Sequence, residues 1–222
     1  ACKIVDMTLK YGLSEYSGES VATIGAAAMI VQQDYKTVQR LMELALSIQD
    51  AIGRAKSSKT AYVAQLFGLA WTQPISKCLP ALGDGYVVGM QMGDTAMGIW
   101  NLIHQRVTLP LVVGHPLDAV ERDCSKVVAQ AEDVAQQDQA LAVRCLWQVM
   151  INLSDPSKSN GTRLEGEVLD IRVRESENTH DHRFLYFSEA MLLLIFSDYE
   201  EAAQRAIERG DYFSKSAPGG AT

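Results

Sequence analysis

The sequence contains few of the residues that identify disulfide-rich, metal-binding or nucleic-acid-binding proteins. Its four cysteines, Cys2, Cys78, Cys124 and Cys145, lie far apart and form no CxxC pair. This spacing predicts reduced thiols, buried on apolar helix faces at Cys124 and Cys145, rather than a disulfide framework or a zinc site. Lys and Arg number 20 against 27 Asp and Glu, a formal net charge of −7. An acidic chain without a basic stretch is not expected to bind nucleic acid.

Long apolar stretches are also missing. The strongest one, residues 190–196 (AMLLLIF), is far shorter than the roughly 18 residues of a membrane span. No basic segment followed by an apolar one opens the chain, so neither a membrane protein nor a signal peptide is indicated. We therefore expect a cytoplasmic protein. Because the sequence begins without methionine and ends in small residues, we also expect a fragment of a larger chain: one helical-repeat domain over residues 1–222, with a flexible tail at 211–222.

A short polar break recurs about every forty residues, and a helical pattern lies on each side of it. The five breaks are residues 33–35 (QDY), 72–74 (TQP), 114–116 (GHP), 154–156 (SDP) and 197–199 (SDY). The flanking segments place apolar residues on one helical face, as Val38, Leu41, Met42 and Ala45 do. The predicted helix pairs are 17–33 with 35–52, 60–71 with 75–92, 94–109 with 116–134, 138–152 with 164–175, and 181–196 with 199–209.

This periodicity decides the predicted fold. A hairpin of about forty residues is too small to bury its own apolar face, so such units stack on their neighbours. The sequence therefore predicts an all-α fold, a right-handed superhelix (α-solenoid) of about five tetratricopeptide-like helical hairpins. Two Asp residues at the breaks, Asp34 and Asp198, are predicted to cap the helices that follow them. The polar stretch 152–166 breaks the regularity and is predicted to be a loop.

The glycines near the end of the second predicted helix pair have a structural explanation. Gly85, Gly89 and Gly93 are spaced by four residues and so share one helical face, where a neighbouring helix can approach closely. Gly93 and Asp94 are then expected to end one helix and cap the next. Residues 83–89 superficially resemble a dinucleotide-binding loop, but no strand pattern precedes them, as that motif requires.

No catalytic arrangement can be assembled from the spacing of the residues. His180 and His182 flank Asp181, but a polar loop does not hold the three or four ligands in the fixed geometry that zinc needs. His104 and His115 are isolated, and each is expected to be a surface or hydrogen-bonded histidine. We therefore expect no catalytic residue, no cofactor and no metal in this segment.

Several short strings occur together in this sequence: residues 85–94 (GYVVGMQMGD) with 95–103, residues 151–153 (INL) with Pro156, 164–167 (LEGE), 196–199 (FSDY) and 202–203 (AA). Taken together, they resemble the tetratricopeptide-like helical-repeat region of large multidomain signal-transduction histidine kinases. In that family the repeats follow a protein-kinase-like domain and a P-loop ATPase module and precede a GAF domain and a histidine-kinase core. The resemblance covers roughly residues 10 to 210 and implies a segment without its own ATP site or phosphotransfer histidine.

These observations predict a non-catalytic protein-interaction or regulatory scaffold domain of an intracellular signalling protein. The expected binding residues are polar positions on otherwise apolar first helices: Asn101 and Gln105 on one helix, Arg144 and Gln148 on the next. The expected partner is a protein, a peptide or a neighbouring domain of the same chain, and a homodimer stays open because uncapped terminal repeats expose apolar faces. The alternatives are an all-α enzyme with a central cavity and a purely structural spacer.

Overall fold

A computed structural model describes residues 1–53, 57–154, 159–169 and 183–209 of the 222-residue chain. The elements are α1 (Cys2–Tyr11), α2 (Ser17–Gln32), α3 (Tyr35–Ile52), α4 (Ser58–Phe67), α5 (Cys78–Met92), α6 (Thr95–Ile103), α7 (Leu109–Val112), α8 (Leu117–Asp133), α9 (Gln137–Ser154), β1 (Ser159–Asn160), β2 (Arg163–Gly166), α10 (Arg183–Ile195) and α11 (Tyr199–Arg209). Apart from the two short strands, these residues form helices and their connections. The predicted all-α class is confirmed.

Contacts divide the chain into two compact units, Ala1–Gln139 and Ala140–Thr222. In the first unit, α2 packs against α3 as a hairpin, and α5 packs against α6 in the same way. Helix α4 contacts all four of these helices, so it joins the two hairpins. Helix α8 packs against α6, α7 and the segment that connects them.

The turn between α2 and α3 shows how a polar break produces a hairpin. Gln33 adopts a left-handed backbone conformation with φ 53°, which ends α2. The carboxylate of Asp34 then accepts hydrogen bonds from the backbone N–H of Thr37 at 3.2 Å and from its hydroxyl at 2.5 Å. These bonds satisfy donors of the first turn of α3 and confirm Asp34 as a helix cap. The hydrogen bond from Thr37 also lowers the pKa of Asp34.

The glycines of α5 have the role that their spacing predicts. A Cβ atom on Gly85 would lie 2.6 Å from Oδ1 of Asn101, and one on Gly89 would lie 2.6 Å from the Cα of Gly98. Helices α5 and α6 therefore approach at a distance that no larger residue allows. Gly93 ends α5 with φ 79°, and Asp94 accepts a hydrogen bond from the N–H of Met97 at the start of α6. Both predictions for this turn are confirmed.

The described part of the second unit contains most of α9, an antiparallel β1–β2 hairpin, α10 and α11. Its apolar cluster consists of Leu141, Cys145, Val149, Leu164, Leu169, Leu185 and Leu192. Asp198 accepts a hydrogen bond from the N–H of Glu201 at 3.4 Å, which confirms it as the cap of α11.

Two predictions for this region are wrong in part. Helix α9 continues to Ser154 and the strands occupy 159–160 and 163–166, so the stretch 152–166 is not simply a loop. A helix was expected from residue 164, but residues 164–166 lie in β2, where the side chain of Leu164 is buried in the apolar cluster. The rest of that expected helix, 170–175, and the expected tail at 211–222 lie outside the described residues.

Candidate functional site

An irregular turn between α6 and α7 positions the polar residues of the candidate site. Residues His104–Thr108 form a π-helical turn, in which the N–H of Leu109 donates to the carbonyl of His104, five residues earlier. Pro110 accounts for this geometry, because it lacks an N–H and its ring clashes with the carbonyl that an α-helix places four residues before it. Turns of this kind occur frequently at functional sites.

The π-helical turn directs two consecutive side chains to one side. Gln105 and Arg106 both line an open groove of about 590 Å³ whose other walls are α5 and α8. In a regular α-helix, consecutive side chains point about 100° apart, so the wider turn helps both to face this groove. Hereafter it is called the α5–α8 groove.

The α5–α8 groove combines an apolar base with charged edges. Leu102 and Val127 are buried at its base. Around them lie the exposed side chains of Asp84, Arg106, Lys126 and Gln130, together with the half-buried Asp123. Lys126 Nζ lies 3.2 Å from Oδ1 of Asp123 on the same helix. Carboxylates, cations and an amide are thus available within one depression.

A smaller hollow of about 260 Å³ extends the groove. It shares Gln105, Arg106 and Asp123 with the groove and continues to His115 and Pro110. An elongated depression of this kind suits an extended chain better than a compact small molecule.

Gln105 lies against a glycine of α5. A Cβ atom on Gly83 would overlap the amide of Gln105, so the absence of a side chain at residue 83 makes room for that amide. Gln105 is half-buried and lines both hollows. Of the four residues predicted to bind a partner, it is the one that the structure places in this groove.

Asn101 lies inside the protein and is completely buried. Its Nδ2 atom donates to the carbonyl of Ser58 at 3.1 Å, to the Ser58 hydroxyl at 3.0 Å and to the carbonyl of Met97 at 2.9 Å. The side chain therefore joins α6 to the start of α4. Its burial conflicts with the predicted contact to a partner, because a polar residue on an apolar helix can serve a neighbouring helix instead of solvent.

Gln148 is likewise completely buried, in the second unit. Its Nε2 donates to Oδ1 of Asn152 at 2.8 Å, and its Oε1 accepts from the N–H of Val168 at 3.3 Å. Asn152 in turn donates to the carbonyls of Gly161 and Arg163 at 2.8 and 2.7 Å. These bonds attach the β-hairpin to α9, so the predicted partner contact of Gln148 also conflicts with its burial. Arg144, one turn earlier on α9, is half-buried.

His104 is half-buried in the π-helical turn. Its Nε2 lies 3.4 Å from the hydroxyl of Tyr62, and its ring stacks on Trp100 with the ring centres 6.2 Å apart. Its Nδ1 is buried and has no hydrogen-bond partner among the described residues. Burial lowers the pKa of His104 to about 4, so the imidazole is neutral at physiological pH.

Burial determines the environment of three of the cysteines. Cys78, Cys124 and Cys145 are buried, which confirms the predicted burial of Cys124 and Cys145, and none of the four cysteines is in a disulfide. Burial raises the pKa of Cys124 to about 12 and also raises the pKa of Cys78. Since the thiolate is the reactive form, burial makes these two thiols less reactive.

Metal ligands are not clustered in the part of the chain that the structure describes, where no group of three or more His, Cys, Asp or Glu residues could hold an ion. His180 and His182 lie outside that part. Over the same described residues, no helix combines the length and apolar character needed to cross a bilayer.

Sequence reasoning missed Arg106, Lys126 and Gln130 as residues of the groove. One available signal was Pro110, because a proline inside a helical pattern predicts a local change of geometry. Another was the polar set Asp123, Lys126 and Gln130, which are three or four residues apart and share one face of α8.

Comparisons with protein-family models, with curated proteins and with solved structures gave no match for this chain. The α5–α8 groove and the sequence patterns are therefore the basis of the function proposed below.

Proposed function

We propose that the chain is a non-catalytic protein-interaction domain that regulates or scaffolds an intracellular, cytoplasmic signalling protein of the multidomain histidine-kinase type. Its hairpins would belong to a tetratricopeptide-like superhelix of about five units. Support for the repeat comes from α2 and α3, which pack together as the first predicted helix pair, and from α4 and α5, which pack together as the second. The resemblance described above supports the signalling context.

The observation that carries the proposal is the α5–α8 groove. A peptide segment presents backbone donors and acceptors as well as side chains, and the amides of Gln105 and Gln130 can pair with such a backbone. Arg106 and Lys126 provide cations, Asp84 provides a carboxylate, and the buried base accepts an apolar side chain. A mixed surface of this kind is typical of the rim and core of protein interfaces.

The occupant is proposed to be a short peptide segment of a partner protein or of a neighbouring domain. Arg106 is the most informative residue, because it is exposed and lines both hollows. Reversal of its charge should change recognition and leave the fold intact, since surface substitutions usually alter stability by less than about 0.5 kcal/mol.

Selection of a phage-displayed random-peptide library on the full 222-residue chain tests this proposal. We expect enriched peptides that lose at least about tenfold in affinity on the Arg106→Glu variant, a loss that corresponds to about 1.4 kcal/mol. The matched control is Arg40→Glu, the same charge reversal at an exposed residue of α3 that does not line the groove. The absence of enriched peptides, or peptides that bind both variants equally, would contradict the proposal.

A further inference from the structure

A separate cavity, of about 230 Å³, lies between α3, α4 and α5. Its apolar wall includes Leu46, Ala61 and Val88, and its polar wall includes Gln65 and Asp84. A water molecule occupies roughly 30 Å³ of liquid, so this cavity has room for several waters or for a small organic group. It is distinct from the α5–α8 groove, although Asp84 lines both.

Gln65 is the unusual residue of this cavity. Its side chain is only 3% exposed, and its Oε1 atom accepts no hydrogen bond from any residue that the structure describes. Buried carbonyl oxygens nearly always have a partner, since an unpaired one costs free energy relative to water. Because Gln65 lines the cavity, its unpaired oxygen points to a donor supplied from outside the chain.

A second unpaired oxygen lies behind the same wall. Oδ1 of Asn101 accepts no hydrogen bond within the described residues, and a Cβ atom on Gly85, which lines the cavity, would be 2.6 Å from it. The orientation of this amide is fixed, because Nδ2 donates to the carbonyls of Ser58 and Met97. The atom beside Gly85 is therefore the oxygen.

The remaining polar groups of the cavity also favour a donor as the ligand. Gln49 already uses its Nε2 to donate to the carbonyl of Ser57, and the Ser57 hydroxyl accepts from the N–H of Thr60. Asp84 adds an exposed carboxylate. An ammonium or guanidinium group has only donors and a positive charge, so it complements this set of acceptors.

We propose that the cavity between α3, α4 and α5 binds an organic cation, an ammonium or guanidinium group on a short alkyl chain. Gln65 Oε1 is the buried acceptor, Asp84 is the counter-charge, and Leu46, Ala61 and Val88 contact the alkyl chain. The cation is either a free amine or the side chain of a lysine or arginine in a peptide. Both have the same head group and an apolar stem.

Two-dimensional ¹H–¹⁵N NMR of the full chain tests the site, with n-butylammonium chloride as the probe. Saturable shifts are expected at the side-chain amide of Gln65 and the backbone amide of Gly85. Sodium chloride at equal ionic strength should produce no saturable shift, and n-butanol should bind at least about tenfold more weakly because it lacks the charge. Absence of saturation, or equal binding of butanol and butylammonium, overturns the proposal and leaves solvent as the occupant.

Two variants locate the interaction. Gln65→Met keeps the length of the side chain and removes the acceptor, so the affinity for butylammonium should weaken about tenfold. The matched control is Gln39→Met, the same substitution at an exposed residue of α3. Should Gln65→Met fail to fold, Asp84→Asn changes an exposed residue and should weaken binding at low salt, whereas Glu43→Gln should not. Unchanged affinity in both the folded Gln65 variant and the Asp84 variant overturns the assignment.

A peptide-like probe distinguishes the two sources of the cation. Tighter binding of Nα-acetyl-lysine methylamide than of butylammonium identifies a peptide side chain as the occupant. Tighter binding of butylammonium identifies a free amine. Either result supports the site, whereas saturation by neither probe overturns it.

Discussion

The backbones of Gly89 and Gly98 meet where α5 packs against α6, and a Cβ atom on residue 89 would lie 2.6 Å from the Cα of Gly98. That contact is with backbone, which cannot move aside as the end of a side chain can. We expect Gly89→Ala to lower the free energy of unfolding by about 1–3 kcal/mol, because overpacking outweighs the better helix propensity of alanine. Urea denaturation followed by circular dichroism measures the change.

Gly83→Ala, on the same helix, is the control for this substitution. The added methyl group would meet only the flexible end of Gln105, which can shift. The gain in helix propensity, up to about 1 kcal/mol, should then be retained. Equal destabilisation by both substitutions would show that the close approach of α5 and α6 is not what requires glycine at residue 89.

Asn101 is expected to stabilise the fold rather than to contact a partner. Asn101→Ala removes the donor to the Ser58 carbonyl, the Ser58 hydroxyl and the Met97 carbonyl. We expect a loss of about 2–3 kcal/mol in the free energy of unfolding, since several buried hydrogen bonds are lost at once. Thermal and urea unfolding measure it, with Gln39→Ala as an exposed control. A stable Asn101→Ala variant that loses peptide binding would instead support the sequence-based prediction for this residue.

Local sequence rules predicted local features well. Asp34, Asp94 and Asp198 cap helices because a short carboxylate can reach the free N–H groups of the first turn, which depends only on neighbours in the sequence. The four-residue spacing of Gly85 and Gly89 likewise predicted a close helix contact, since the spacing places both on one face.

Features that depend on distant residues were not predictable in the same way. The β-hairpin consists of two short polar strands, and its attachment depends on Gln148 and Asn152 of α9. The amides of Asn101 and Gln148 were expected at a surface because polarity alone does not distinguish solvent from a buried hydrogen-bond partner. The groove also required the π-helical turn at residues 104–108, which sets the direction of Gln105 and Arg106.

Glu189 and Arg205 connect α10 to α11 in the second unit. The Glu189 side chain is 5% exposed, and its Oε2 lies 2.9 Å from an Arg205 guanidinium nitrogen. We expect Arg205→Met to destabilise this helix pair by about 2–4 kcal/mol, because a buried carboxylate loses the ion pair with Arg205. Hydrogen exchange of the α11 amides measures the effect.

Removal of both charges, Glu189→Gln with Arg205→Met, should restore part of that stability. The matched control is Arg122→Met, which breaks the exposed Asp118–Arg122 pair and should cost less than about 1 kcal/mol. A loss from Arg205→Met no larger than that of the control would contradict the assignment of a buried ion pair.

His104 should make the stability of the first unit depend on pH. Its folded pKa is about 4, against 6.5 for an ordinary histidine. Between pH 6.5 and 4, the imidazole is protonated in the unfolded chain and neutral in the folded chain, so acid favours unfolding. The contribution of His104 to the free energy of unfolding is therefore fully present above pH 6.5. It decreases toward pH 4 by up to about 1.4 kcal/mol per pH unit. NMR titration of the imidazole should place its pKa well below the ordinary histidine value of 6.5. Urea unfolding between pH 7 and 4 should show a shallower slope for His104→Gln than for the unchanged chain, and identical slopes for the two would refute a His104 that is neutral in the folded protein.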